Sequence, residues 1–167
     1  MKKIFKRLLI ALFIIFLLLQ FFPRPQKNDS GLMVNDIHLA HFIPADVDTV
    51  LRVSCYDCHS NKTLYPWYYN IQPVALWMGN HVKDGLKELN FSEFATYSIR
   101  RQYKKLEEIN EQVKEKEMPL FSYSLIHSNA KLNDTDKILI AQWATNLRDS
   151  MKASYPPDSL LRKNKKI

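Results

Sequence analysis

The sequence predicts an all-α chain, with one helical domain carried behind a single N-terminal transmembrane helix. Three observations predict it. An uncharged run over residues 8–22 follows a basic cluster at Lys2, Lys3, Lys6 and Arg7. Downstream, apolar residues recur at three- and four-residue steps. Strand-like alternation is weak, and with 3 glycines in 167 residues there is no Gly-rich loop to cradle a nucleotide phosphate. The length beyond the N-terminal run suits one modest domain with one core.

Residues 8–22 contain a single polar side chain, Gln20. Their helix would measure about 22 Å against a hydrocarbon layer of about 30 Å, and adding Ile4 and Phe5 with snorkelling lysines closes much of the gap. The run exits through Gln20-Phe21-Phe22-Pro23-Arg24, without the small residues of a cleavage site. An uncleaved anchor is therefore expected over residues 1–22, with its N-terminus in the cytoplasm and the remainder across the membrane. Residues 23–32, polar and rich in breakers, read as a linker. A domain is expected over residues 33–155, then a basic tail over 156–167.

Helical signals fill that domain. Pro44 opens a short helix running into Cys55, with Val47, Val50, Leu51 and Val53 as its apolar positions. Pro73 opens a longer one in which Val74, Trp77, Met78, His81, Val82 and Leu89 mark a buried face. Residues 100–117 are densely charged, with Leu106, Ile109 and Val113 as a stripe, which predicts a surface helix. Asn133 and Asp136 form a capping-box pattern ahead of Ile138, Leu139, Ala141, Trp143 and Leu147, the apolar positions of a terminal helix.

The net charge of +7 belongs to the ends of the chain. Setting aside Lys2, Lys3, Lys6, Arg7, Arg162, Lys163, Lys165 and Lys166 leaves 16 basic residues against 17 acidic ones, so nucleic acid is not an expected partner.

The chemistry concentrates in Cys55-Tyr56-Asp57-Cys58-His59, which contains both cysteines of the chain. Cys-x-x-Cys-His is the attachment signature of c-type haem: two thiols across a tight turn reach two vinyl groups of one porphyrin, and the adjacent histidine lies beneath the iron. Cys55 and Cys58 are thus candidate thioether residues and His59 the candidate proximal ligand. An aromatic stretch comes immediately after, and Tyr65 and Trp67 are its candidate pocket walls. The other readings are a disulfide, a redox pair, which lacks the βαβ context it usually has, and zinc, which needs two more ligands. His38, His41, His81 and His127 are the remaining histidines, and none has finger spacing.

For the distal side of the iron, Met118 stands in Glu117-Met118-Pro119, where a loop could present its thioether without burying a charge. Met33, Met78 and Met151 lack that context. His81, on the apolar face of its helix one turn from Trp77, is the alternative distal ligand. An iron left open on one side is the third possibility.

The chain resembles the small haem-binding domain proteins of bacterial envelopes, relatives of monohaem cytochromes c. The resemblance rests on Cys55-Tyr56-Asp57-Cys58-His59-Ser60-Asn61, Tyr65-Pro66-Trp67-Tyr68, Pro73-Val74, His81, Leu89-Asn90-Phe91-Ser92, Met118-Pro119 and Trp143. It implies a cytochrome c-like helical domain with one covalent haem c and its iron, attached through Cys55 and Cys58 with His59 proximal. The expected location is the bacterial inner membrane, single-pass, with the domain in the periplasm. Electron transfer with an unidentified redox partner or quinol oxidoreductase is the leading expectation. A haem sensor or peroxidase-like enzyme, with His81 or His127 as distal acid-base group, is the alternative. A non-redox interaction domain with structural haem is the third.

Overall fold

A computed structural model describes residues 1–31 and 33–161; Leu32 and the tail residues Arg162, Lys163, Lys165 and Lys166 lie outside the described residues. The all-α expectation holds, with no strand among the described residues beyond one isolated bridge between Asp29 and Lys62.

The expected transmembrane helix does not hold. Helix α1 (Lys2–Leu19) has 18 residues, but no helix among the described residues is long and apolar enough to cross a membrane. Lys2, Lys3, Lys6 and Arg7 occupy its first turns, and the chain leaves the helix at Gln20. Residues 8–19 then measure about 18 Å, far short of the hydrocarbon layer. Extending the span to Phe22 counted residues that stand beyond the helix end. The membrane contact expected through this helix loses its basis with it. Gln20 instead grips the domain: its side chain donates to the Gln72 carbonyl at 2.9 Å and accepts from the Gln72 N–H at 3.1 Å.

Segment 23–31 lies along the domain. Asn28 donates from its side chain to the Ser60 carbonyl (2.7 Å) and Thr63 Oγ1 (3.0 Å), and Tyr69 Oη donates to the Pro25 carbonyl (2.8 Å). After the single turn α2 (Ile37–Ala40), helix α3 (Ala45–Ser54) begins immediately behind Pro44, as its sequence predicts, and buries Val47 and Leu51. The single turn α4 (Tyr56–His59) comes next with only Cys55 between.

Helix α5 (Val74–Glu88) also starts behind its proline, but the buried face is Ala75, Gly79 and Val82, while Trp77 is 45% exposed. The small residues decide this rotation. A Cβ at Gly79 would lie 2.7 Å from the Pro25 ring, so only glycine permits the close approach.

Helix α6 (Ile99–Lys114) is capped by Ser98 and packs along α8 (Asp134–Ser154), which starts at the expected capping box. Ile140, Trp143, Ala144 and Met151 are the buried positions of α8, whereas Ile138 is exposed. Arg148 ties the two helices, 2.7 Å from Glu107 and over the Tyr103 ring. The core gathers Leu51, Tyr56, Phe91, Phe94, Leu106 and Trp143. Two further short α-helices are α7 (Phe121–Ile126) and α9 (Pro157–Leu160), whose Leu160 is buried, and 3-10 turns occupy Trp67–Asn70, Phe91–Thr96 and Ser128–Ala130.

The chain turns sharply as it leaves α6. Lys116 N–H donates to the Val113 carbonyl and Glu117 N–H to that of Gln112, the paired bonds of a Schellman motif, with Lys116 at φ 63° where glycine is preferred. A left-handed lysine costs about 1 kcal/mol. Lys116→Gly is expected to raise unfolding free energy by about 1 kcal/mol in urea titration; an unchanged or lowered midpoint would contradict the strain assigned to this position.

Candidate functional site

The two cysteines occupy a change of direction between helices. Cys55 ends α3, its N–H donating to the Leu51 carbonyl at 2.8 Å, and its own carbonyl accepts from the N–H groups of Cys58 (3.2 Å) and His59 (3.0 Å). This single turn brings both thiols and the imidazole to one cleft. Both cysteines are free thiols. Burial pushes the Cys55 thiol up to about 12; burial first, and the Asp57 carboxylate second, push Cys58 up to about 11. These are un-ionised thiols at neutral pH, unlike the lowered thiols of disulfide oxidoreductases.

His59 is the most constrained side chain of the site. Its Nδ1 lies 2.9 Å from the Leu89 carbonyl and 3.0 Å from that of Gly85. Two carbonyls can only accept, so Nδ1 carries the proton. Burial holds the pKa below its ordinary value against the pull of both carbonyls, so the ring is neutral and Nε2 keeps a lone pair. Leu89 is the C-cap residue of α5: its N–H donates to the Gly85 carbonyl at 2.9 Å, while its own carbonyl lies beyond the helical ladder and is open to His59. Gly85 permits the approach, since a Cβ there would stand 2.7 Å from the Cys58 carbonyl oxygen. Behind the ring, Phe91 meets His59 edge-on at 6.4 Å and stacks on Tyr56 at 5.0 Å. Ser92 Oγ accepts the Asn61 N–H at 3.0 Å. The Leu89-Asn90-Phe91-Ser92 stretch therefore works as the scaffold of His59, a role that residue types alone did not disclose.

The cleft has two lobes, about 440 and 250 Å³, that share Cys55, His59, Glu88, Met118 and Pro119. Their combined size falls within the range of cofactor sites, about 300–1,000 Å³. Met118, delivered by the Schellman turn with its N–H on the Gln112 carbonyl (3.2 Å), lines both lobes. His81 lines the smaller lobe with Cys58 and Tyr123. Its Nδ1 sits 2.8 Å from the Trp77 carbonyl, so in the neutral ring Nε2 is again the unprotonated nitrogen.

Tyr65 and Trp67 are not brought to this cleft. Tyr65 packs on Tyr69 at 4.3 Å and its hydroxyl accepts the Asn28 N–H, holding segment 23–31 instead; Trp67 is 75% exposed. Tyr123 takes the place expected of them, lining the smaller lobe while its hydroxyl donates to Asp57 at 2.7 Å. His127 stacks on Tyr123 at 4.3 Å in an adjoining pocket. His38 and His41 are engaged elsewhere, with Asp36 and Gln102 respectively.

A haem fits this donor set. Haem in general asks for a neutral imidazole with an oriented lone pair and an apolar surround, and thiols at the same cleft would suit a covalently attached one. Zinc does not fit, because no group of three or more His, Cys, Asp or Glu residues able to hold a metal ion is found among the described residues.

Comparison with known families agrees with that test: the family model of the haem-binding domain matches residues 14–146, from the second half of α1 into α8. Neither the curated proteins nor the solved structures yield a match.

Close approach at Gly85 gives the site a direct test. Gly85→Ala should drive α4 off α5 and cost about 2 kcal/mol of stability, in the range of overpacked cores, with haem affinity falling alongside. A variant that unfolds at the wild-type urea midpoint and titrates with haem as wild type does would contradict the packing described.

Proposed function

Because the chain belongs to the haem-binding domain family, we propose that it is a monohaem c-type electron carrier, with Cys55 and Cys58 as covalent attachment points and His59 Nε2 as proximal ligand. The observation that carries this reading is the pinned His59 ring, whose protonated Nδ1 between two backbone carbonyls leaves Nε2 as the only possible ligand atom of that residue.

Attachment asks little of the protein beyond placement. Cys55 and Cys58 would hold the porphyrin by adding Sγ–H across its two vinyl groups, sulfur to one carbon and hydrogen to the other. No electrons are gained or lost, so the thiols need only be reduced, as both are. When bound, haem supplies an iron that accepts and returns one electron. The chain's contribution is to hold the ring of His59, exclude water with apolar walls and close the far side of the iron.

For that closing role Met118 is favoured by its position on both lobes of the cleft, and a thioether there would leave no position for substrate. His81 is the second reading, favoured by the tautomer that its bond to the Trp77 carbonyl imposes. The domain is placed in the periplasm, on the support of the Lys2, Lys3, Lys6 and Arg7 cluster ahead of an uncharged run, the pattern of an export segment. Its redox partner is a second protein or a quinol oxidoreductase that exchanges electrons at the cleft.

Intact-mass measurement on the full chain, expressed with export and haem supply, should show one added haem that survives denaturation. Cys55→Ala/Cys58→Ala should lack it, and a wild-type chain of bare polypeptide mass would overturn covalent attachment. In the ferric protein, the weak long-wavelength absorption band of methionine-to-iron bonding should vanish in Met118→Ala. Persistence of the band excludes Met118. Its absence from wild type, with six-coordinate spectra lost on His81→Ala, assigns the distal position to His81. Rapid carbon monoxide binding to the ferrous wild type would favour the open, sensory or peroxidatic site.

A further inference from the structure

Helix α6 reads in sequence as a solvated surface helix, yet Lys105, Glu108, Ile109 and Gln112 line the larger lobe of the cleft. Their spacing puts them on one stripe of the helix. Among the described residues Lys105 is the single lysine or arginine lining either lobe, and its side chain is only 12% exposed. A cation turned into a largely apolar cleft loses hydration, which is recovered by an anion in the cleft or by neighbours on its rim.

The neighbours present are Glu108 Oε2 at 2.6 Å and Glu88 Oε2 at 3.5 Å. The longer distance is a loose contact, and an ammonium has three donors to place. Glu108 does not depend on Lys105 alone, for Lys104 holds its other oxygen at 3.0 Å from the outer face. Lys105 can therefore give a donor to a third carboxylate while Glu108 stays paired. The ligand of this cleft, on the haem reading above, carries carboxylates of its own in its two propionate side chains.

We propose that Lys105 is the propionate anchor of the cleft, orienting the bound porphyrin by a charge-assisted hydrogen bond while Cys55, Cys58 and His59 hold the opposite part. This rests on the haem reading and adds to it a residue that the attachment motif does not contain. A charge-assisted hydrogen bond contributes about 1.5–3 kcal/mol, which corresponds to about tenfold or more in affinity.

The test separates the two layers. Reduced, haem-free full-length protein is titrated with ferric haem and, in parallel, with ferric haem dimethyl ester, which has the same ring and iron but uncharged side chains. Wild type should bind the free acid about tenfold more tightly than the ester or better. Lys105→Met should bring that ratio close to one, Lys105→Arg should retain a preference, and Lys104→Met, altered on the exposed side of the same ion-pair group, should leave it at the wild-type value. Equal ratios in wild type and Lys105→Met would overturn the anchor and leave the haem reading intact. Failure of wild type to bind either porphyrin would overturn both.

Discussion

The site depends on one contact: the Nδ1–H of His59 held between the carbonyls of Leu89 and Gly85. It fixes the tautomer, the ring plane and the direction in which a lone pair is available. It also joins two pieces of chain that the fold must bring together, the single turn α4 and the end of α5. The carbonyls at a helix C-terminus carry partial negative charge, so the same contact would raise the electron-donating power of the ring toward a bound iron, on the proposed reading. Remove the contact, and the thiols could still share a cleft, but the imidazole would be free to turn.

Much of the remaining architecture serves to make that contact possible. The last turns of α5 can lie against α4 because Gly85 has no Cβ where the Cys58 carbonyl passes. Gly79 performs the same service against Pro25, which lets segment 23–31 run beside the motif and lets Asn28 secure Ser60 and Thr63 just past His59. Across the cleft, the Schellman turn at Lys116 sends Met118 and Pro119 back toward the imidazole rather than onward along the axis of α6. Two of the chain's three glycines and one strained lysine thus stand at the places where the cleft's walls are set.

Legibility in the sequence tracks the kind of signal each element contains. Prolines at 44 and 73 and the Asn133/Asp136 box mark helix starts by local chemistry, and all three starts stand where expected. The Cys-x-x-Cys-His spacing predicts a shared cleft, and one tight turn is enough to deliver it. Signals that depend on partners were not legible. Periodicity marked Val82 and Leu89 correctly but put Trp77 on the buried side of α5, because two glycines, invisible to an apolar pattern, make the closest contacts. The aromatic stretch suggested pocket walls at Tyr65 and Trp67, but the first is used to hold segment 23–31 and the second faces outward. Backbone carbonyls have no residue-type signature, so the scaffold of His59 and the inward turn of Lys105 emerged only from the fold. The N-terminal reading failed for a simpler reason: hydropathy was counted past the point at which the helix stops.

An all-α domain with a family match to haem-binding domains, free thiols and a tautomer-locked histidine at one cleft forms a coherent chemical unit. On the proposed reading, the division between carrier and catalyst lies on its far side, where Met118 from the loop after α6 and His81 from α5 line the same lobe. The most direct measurement is diffraction at the iron absorption edge from crystals of the haem-loaded protein. One anomalous peak is expected at bonding distance from His59 Nε2, with the His59 Nδ1 still against Leu89 and Gly85. An iron peak bound elsewhere, or a His59 ring turned so that Nδ1 faces the metal, would contradict the role given to that contact.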